Sequence, residues 1–227
     1  MARGSQAMAQ QGSLYYAKIS GLKDGEQVHF ELSSKNPDGS KKVDGQEKKL
    51  TGLLVSAKHR QDTYQNQVYD KIVLILNDPQ AGKDGESYYI SVNAATGIGR
   101  NIINSLLNSD AFVAPLSISL YNSKEGGYPN VGMYLGGERL MWKYSIEEQS
   151  KYISTTKEKV KDASGKVVTK DKKNYLELNE FLLKEFKEKV VPAVNSTPRT
   201  SHNYDSSSVS ETTQAASVSD ERLPWED

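Results

Sequence analysis

Between residues 50 and 144 the chain repeats one pattern: short β-rich stretches with alternating character, bounded by Gly, Pro, Asn or Asp. Residues 68–77 (VYDKIVLILN) put Val68, Ile72, Leu74 and Leu76 on one side and Tyr69, Lys71 and Val73 on the other. A period of two residues is the mark of a strand with one face on a core. Residues 50–60 (LTGLLVSAKHR), 87–93 (SYYISVN), 112–121 (FVAPLSISLY) and 129–135 (PNVGMYL) read the same way, and 139–144 either continue the sheet or open the next element. Gly52 is a point at which the first of these strands can bend. One segment breaks the pattern. Residues 98–108 carry apolar side chains at 98, 102, 103, 106 and 107, which is helical spacing, and Thr96 is placed to cap that helix.

Three strands, a helix and two strands is the order of the OB-fold, a five-stranded, partly open barrel used on single-stranded nucleic acids. The expected fold is therefore mainly β: a five-stranded OB-fold barrel with a helix between strands 3 and 4, an N-terminal hairpin and a C-terminal helix. Residues 14–20 and 27–33 supply the hairpin, and the Lys-rich 40–49 an exposed loop or strand margin. Residues 61–67 read as a polar turn around Tyr64. The C-terminal helix spans 174–191. Asn174 and Glu177 have capping-box spacing, Leu178, Phe181, Leu182, Phe186 and Val190 form a stripe expected to pack on the barrel, and Pro192 ends it. Between them, 157–173 holds seven lysines against three acids around a turn at 163–165, and reads as a ribbon or loop.

The ends of the chain differ from this body. Residues 1–12 read as a disordered leader, of which 1–7 (MARGSQA) look expression-derived with Met8 the natural start. The folded domain is 13–194. Residues 195–218 are almost entirely small and polar, a composition that cannot offset its ordering entropy, so they read as a disordered linker. The tip, 219–227 (SDERLPWED), sets Leu223 and Trp225 among carboxylates, a bait for a basic, apolar-lined pocket. Net charge is zero, yet from residue 196 onward 2 basic residues face 6 acidic ones, leaving 27 against 23 before it. The body is thus mildly basic and the tail acidic, an asymmetry that permits the tail to meet a basic surface.

No catalytic constellation emerges. Cysteine is absent, and His29, His59 and His202 are scattered without metal-ligand spacing, so neither a cofactor nor a metal is implied. Residues 96–100 (TGIGR) lack the Gly-Lys-Ser/Thr ending of a phosphate loop; Arg100 and the first helical amides remain able to touch a phosphate. No apolar run reaches membrane-span length. What recurs is tyrosine and cation on the polar side of successive strands: Lys58 and Arg60, then Tyr69 and Lys71, then Tyr89, Tyr121 and Tyr134. Tyr64, Lys124 and Tyr128 fall in loops able to line the same groove, and Trp142 is either core or platform. Half-buried packing is the commoner fate of any one tyrosine. Their repetition beside cations is what sequence-tolerant binding of a single strand requires, rings for bases and charges for phosphates.

With tip and barrel together, the chain resembles single-stranded DNA-binding proteins. Bacterial members end in a disordered linker and a tip of the type Asp-Asp-Asp-Ile-Pro-Phe; here Asp220, Glu221, Leu223, Pro224 and Trp225 match it. Arg222 interrupts the acids, Trp stands in place of Phe, and Glu226 and Asp227 follow the aromatic residue. The body is similar to the OB-fold single-strand-binding proteins of bacteriophages at Gly97-Ile98-Gly99-Arg100 and Gly127-Tyr128-Pro129. The resemblance implies a non-enzymatic protein that coats single-stranded DNA in replication, recombination or repair. Its tip, Asp220 to Asp227, would recruit partner proteins, in the cytoplasm, or the host cytoplasm if viral. A homo-oligomer is compatible with this reading. The alternative is a protein–protein adaptor or structural protein whose small barrel never meets nucleic acid.

Overall fold

The computed structural model describes residues 13–22, 26–78, 85–123, 127–161 and 165–197. Residues 1–12, Lys124 and residues 198–227 lie outside the described residues, and with them the expected leader, the tip and the expected linker from 198 on. The first residues of that linker, Asn195 and Ser196, are helical instead, the Asn195 side chain donating to the Ala57 carbonyl at 3.2 Å. In chain order the elements are β1 (Ser13–Ser20), β2 (His29–Lys35), β3 (Lys41–Glu47), β4 (Lys49–Tyr64), β5 (Gln67–Asp78) and β6 (Glu86–Asn93). There follow α1 (Gly97–Leu106), β7 (Pro115–Asn122), β8 (Pro129–Leu135), β9 (Glu138–Arg139), α2 (Ile146–Ser150), β10 (Ser154–Lys161) and β11 (Val167–Asn174). The chain then runs through α3 (Leu176–Glu185), a π-helical turn (Phe186–Val190) and α4 (Val191–Ser196).

The fold is mainly β, and the run β4, β5, β6, α1, β7, β8 keeps the expected order of strands and helix. Those strands are not a self-contained five-stranded barrel. They belong to a nine-stranded sheet in the order β3-β2-β1-β6-β5-β4-β7-β8-β9. The free edge of β6 is taken by β1 in parallel, Tyr15 opposite Tyr88 and Tyr16 opposite Tyr89, while β1 also pairs antiparallel with β2. The expected hairpin therefore exists, but as part of the sheet. The Lys-rich margin becomes its third strand, β3. Physically, β1 and β2 bring Ala17, Phe30 and Leu32 into the common core, a burial that an isolated hairpin would forgo. The sheet curls until the Asn122 side chain at the end of β7 binds the N-terminal segment, accepting from the Val28 amide at 2.9 Å and donating to the Glu26 carbonyl at 2.8 Å.

β4 holds the two halves together. It pairs with β7 through residues 49–53 and with β5 through 53–64. At the changeover sits Gly52, where a Cβ would lie 2.8 Å from the Asn77 carbonyl group, closer than side chains come to backbone. A bulge between Leu54 and Ser56 adds one residue and resets the alternation, so that Leu50, Leu54 and Ala57 all face inward. The turn to β5 is only Gln65–Asn66, both at positive φ (47° and 63°), rather than the longer expected turn; the strands extend to Tyr64 and from Gln67. That is the left-handed backbone of a two-residue hairpin, whose twist matches its strands.

Helices cover the inner face. Ile98, Ile102, Ile103 and Leu106 of α1 are buried, and Thr96 caps it by accepting from the Gly99 amide at 3.1 Å. The C-terminal helix seals the rest, with Leu178, Leu182, Phe186, Val190 and Val194 buried in the same core. Each such side chain contributes about 1.5–3 kcal/mol of apolar burial. Phe181 stacks on Tyr152 at 4.3 Å, anchoring the segment that precedes β10. Two expectations about this helix are corrected. Asn174 forms no capping box; its Oδ1 accepts from the Leu176 amide at 3.0 Å, and Tyr175 precedes the first turn. Pro192 does not end it either. The turn ahead widens to π spacing, with the Val191 amide bonded to the Phe186 carbonyl, so the proline falls in the first turn of α4, where a missing N–H costs little.

The polar stretch after β9 holds the short helix α2, which the alternation did not reveal, although Ser145 and Glu148 form a complete capping box. The Lys-rich segment is the ribbon β10–β11, a separate two-stranded sheet. No helix among the described residues is long and apolar enough to cross a membrane.

Candidate nucleic-acid interface

The bulge in β4 decides what its outer face displays. Beyond it, Lys58, Arg60, Asp62 and Tyr64 alternate outward while Ala57 and His59 turn in. Register then sets neighbours side by side. Arg60 lies opposite Lys71, which lies opposite Asn93; Asp62 lies opposite Tyr69; Lys58 lies opposite Val73. The next row reads Ser56, Ile75, Tyr89, Tyr16 and Ser33 across five strands. The expected cations and rings of β4, β5 and β6 thus share one face, with Ile72, Leu74 and Ile90 buried on the other. Val73, assigned to this polar side, is fully buried beneath it.

Two features of this patch were missed by reading the sequence. Tyr16 joins it because β1 pairs with β6, its ring 5.5 Å from that of Tyr89, and the Lys35 ammonium lies 5.9 Å from the Tyr16 ring centre. Asp62 binds two of the cations, Arg60 and Lys71. Arg60 reaches it as a fork, Nε to Oδ1 at 2.6 Å and Nη2 to Oδ2 at 2.8 Å, and Lys71 Nζ meets Oδ2 at 2.7 Å. The hydrogen-bonded Arg60 guanidinium, then Lys71, holds the Asp62 carboxyl below the usual carboxylate range against the opposing effect of burial. Burial pushes the Tyr89 hydroxyl up, so this ring stays neutral. Tyr69 donates its hydroxyl to Gln67 at 2.6 Å, and the Tyr64 hydroxyl accepts from Gln65 at 3.3 Å.

A second patch lies on β7 and β8. Tyr121 is opposite Asn130, Ser119 opposite Gly132 and Ser117 opposite Tyr134, while Leu116, Ile118, Leu120, Val131 and Met133 are buried behind. Gly132 makes room for both rings. A Cβ there would stand 3.4 Å from Tyr134 Cε2 and 3.6 Å from Tyr121 Cε1, so the two tyrosines converge over one bare stretch of backbone. Tyr121 remains 41% exposed and Tyr128, in the preceding loop, 69%, enough for a ring face to be reached. Thr51, on β4 opposite Ser117, and Lys58 are seven residues apart, so extended strand separates the patches by at most about 23 Å, the length of several nucleotides.

Two expected contacts stand elsewhere. Arg100 is not held ready for a phosphate: it donates to the Ala95 carbonyl and to Asn179 Oδ1 at 3.1 Å, and lies 4.2 Å from the Tyr175 ring centre. Burial lowers its pKa, and its work is to clamp α1 to α3. Trp142 is exposed, but its segment leaves the sheet to bond to α1, Lys143 N to the Asn104 carbonyl at 3.0 Å and Tyr144 N to Asn104 Oδ1 at 2.8 Å. No strand register brings it to the tyrosines. Lys124 and the tip residues Asp220, Glu221, Leu223, Pro224, Trp225, Glu226 and Asp227 lie outside the described residues.

At the base of the β4–β5 hairpin, His59 Nε2 meets Asp70 Oδ1 at 2.7 Å with Gln61 Nε2 donating to the same oxygen at 3.1 Å. The described residues contain no group of three His, Cys, Asp or Glu side chains able to hold a metal ion. Set against protein-family models, curated proteins and solved structures, the chain gives no match.

Proposed function

We propose that this chain is a non-enzymatic single-stranded DNA-binding protein, with β4, β5, β6, α1, β7 and β8 acting as an OB-type module. In this reading the N-terminal strands and the C-terminal helix take the place of barrel closure. One observation carries it: strand register gathers tyrosines and cations on the sheet face opposite the core, in two patches. Bases stack on Tyr121 and Tyr134 over Gly132 and on Tyr69 and Tyr89, now with Tyr16. Phosphates pass Lys58, Arg60 and Lys71. Ring faces accept any base, so the protein coats strands without reading sequence, as replication and recombination demand. The acidic tip recruits partner proteins from the far end of the chain.

Titration of labelled oligo-dT with Tyr121→Ala and Tyr134→Ala tests the reading. Each substitution is expected to cost about 1–3 kcal/mol of binding. Wild-type affinity in both variants, with unchanged thermal stability, would overturn the assignment of this face. Removing residues 219–227 is expected to leave dT binding intact and to abolish co-purification of partners.

A further inference from the structure

The ribbon β10–β11 has no place in the single-strand reading, and its chemistry is different. It is almost wholly exposed and stands outside the main sheet. Two strands alone are marginal in water, so a ribbon kept in solvent is most simply explained by what it touches. Its register divides the charges. One face carries Glu158, Lys170 and Lys172, and Glu158 takes up Lys172 at 3.2 Å. The other carries Lys157, Lys159 and Lys161 along β10 and Lys173 on β11, with Asp171 opposite Lys157 as the acid of that face. Among the described residues, Lys157, Lys159 and Lys161 make no ion pair. Alternate residues of a strand stand about 6.8 Å apart on one face, which is the scale of successive phosphates along a nucleic-acid strand.

We infer that this lysine face is a second nucleic-acid site, for the backbone of a duplex. The ribbon has no aromatic residue between Ser154 and Asn174, so it offers no platform for an unstacked base. A single strand held without sequence preference needs such platforms; a duplex, its bases already stacked, needs only charge and shape. The major groove, about 12 Å wide, admits a two-stranded ribbon, and lysines in single file then reach the phosphates of one wall. The protein would hold a single strand on its tyrosine face and the adjoining duplex on its ribbon, which suits the edge of an opened region. This inference stands beside the single-strand reading and does not depend on it.

The experiment uses the full chain with fluorescence anisotropy on two probes, a labelled blunt duplex longer than two helical turns and a labelled oligo-dT, over a range of salt. The variant is the triple Lys157→Glu, Lys159→Glu, Lys161→Glu; Lys170→Glu with Lys172→Glu controls for the opposite face. The triple variant is expected to lose at least about ten-fold in duplex affinity, and its log–log salt slope to become shallower by about 2.7, three phosphates' worth. Its dT affinity is expected to stay within about two-fold of wild type, and the control to keep most of its duplex binding. Duplex binding absent from wild type, or equal in wild type and triple variant, overturns the inference. So does a parallel loss on dT, which would assign the ribbon to the single-strand site. A peptide of the sequence of residues 219–227 that binds wild type and not the triple variant, while duplex binding is equal in both, would instead make the ribbon a protein-docking arm and also overturn it. Because the tyrosine variants act on dT alone, failure of either reading leaves the other legible.

Discussion

Asp62 offers a perturbation whose expected sign is unusual. It sits on the proposed phosphate path, yet it is an anion, and it engages two of that path's three cations, Arg60 and Lys71, at 2.6–2.8 Å. Asp62→Asn keeps the shape and one carbonyl acceptor while removing the charge, so Arg60 and Lys71 stay in place with one more unit of positive charge to offer. Each phosphate neutralised on a single strand adds about −0.7 to the slope of log K against log salt. One added cation equivalent therefore makes the slope steeper by about 0.7, which at 0.1 M salt corresponds to about five-fold tighter binding when the electrostatic term is referred to 1 M.

The same substitution removes ion pairs that are partly open to solvent, at 26% exposure for Asp62, so a cost to stability of about 1 kcal/mol is expected. For a chain of this size that lowers Tm by about 2–4 °C. A variant that is less stable but binds more tightly is an outcome that a purely structural role cannot produce. Anisotropy titrations of labelled oligo-dT at several salt concentrations, with Tm measured in parallel, read both quantities. An unchanged slope and affinity alongside the expected fall in Tm would show that phosphates do not pass Arg60 and Lys71, and the first patch would leave the proposed site.

Gly132 tests the second patch by size: Gly132→Ala adds a Cβ at ordinary contact distance from both rings and is expected to bind dT as wild type does, whereas the branches of Gly132→Val displace Tyr121 and Tyr134 and weaken dT binding by about 1–3 kcal/mol. Equal affinities for the two variants would remove the rings' placement from the argument. Glu185 tests the helix that seals the core. Its carboxylate accepts from Lys189 and, at 2.6 Å, from the Tyr144 hydroxyl, and these hydrogen bonds, Lys189 first, hold its pKa below the usual carboxylate range. Because the folded-state pKa is depressed, the stabilisation is complete above the unfolded value of about 4.3 and disappears as pH falls through the lower folded value. Glu185→Gln is expected to cost about 1.5 kcal/mol in urea melts at pH 7 and to converge with wild type in acid; a gap that persists at low pH would mean the loss comes from packing.

How much of this was legible in the sequence follows from what alternation encodes. A period of two residues reports which face a side chain takes, and Tyr69, Lys71, Tyr89, Tyr121 and Tyr134 were placed on the right side of their strands by that signal alone. It does not report which strand lies next door. Tyr16 stayed hidden because its partner Tyr89 is some seventy residues away in a parallel pairing that leaves no local trace, and the same pairing brings β1, β2 and β3 into the sheet of the expected five strands. Asp62 is a different kind of miss. Residues two apart in a strand share a face, so Arg60 and Asp62 were recognisable as neighbours had the strand been continued past Arg60; ending it there moved the carboxylate into a turn. Arg100 shows the reverse. A cation at the start of a helix is suited to a phosphate, but a neighbouring helix lay within reach, and tertiary packing claimed the side chain first. Pro192 follows the same logic, since a widened turn set by the core removed the clash that would stop an isolated helix. Faces are local and were readable; neighbours are a property of the whole chain, and the charge balance of the proposed site depends on neighbours.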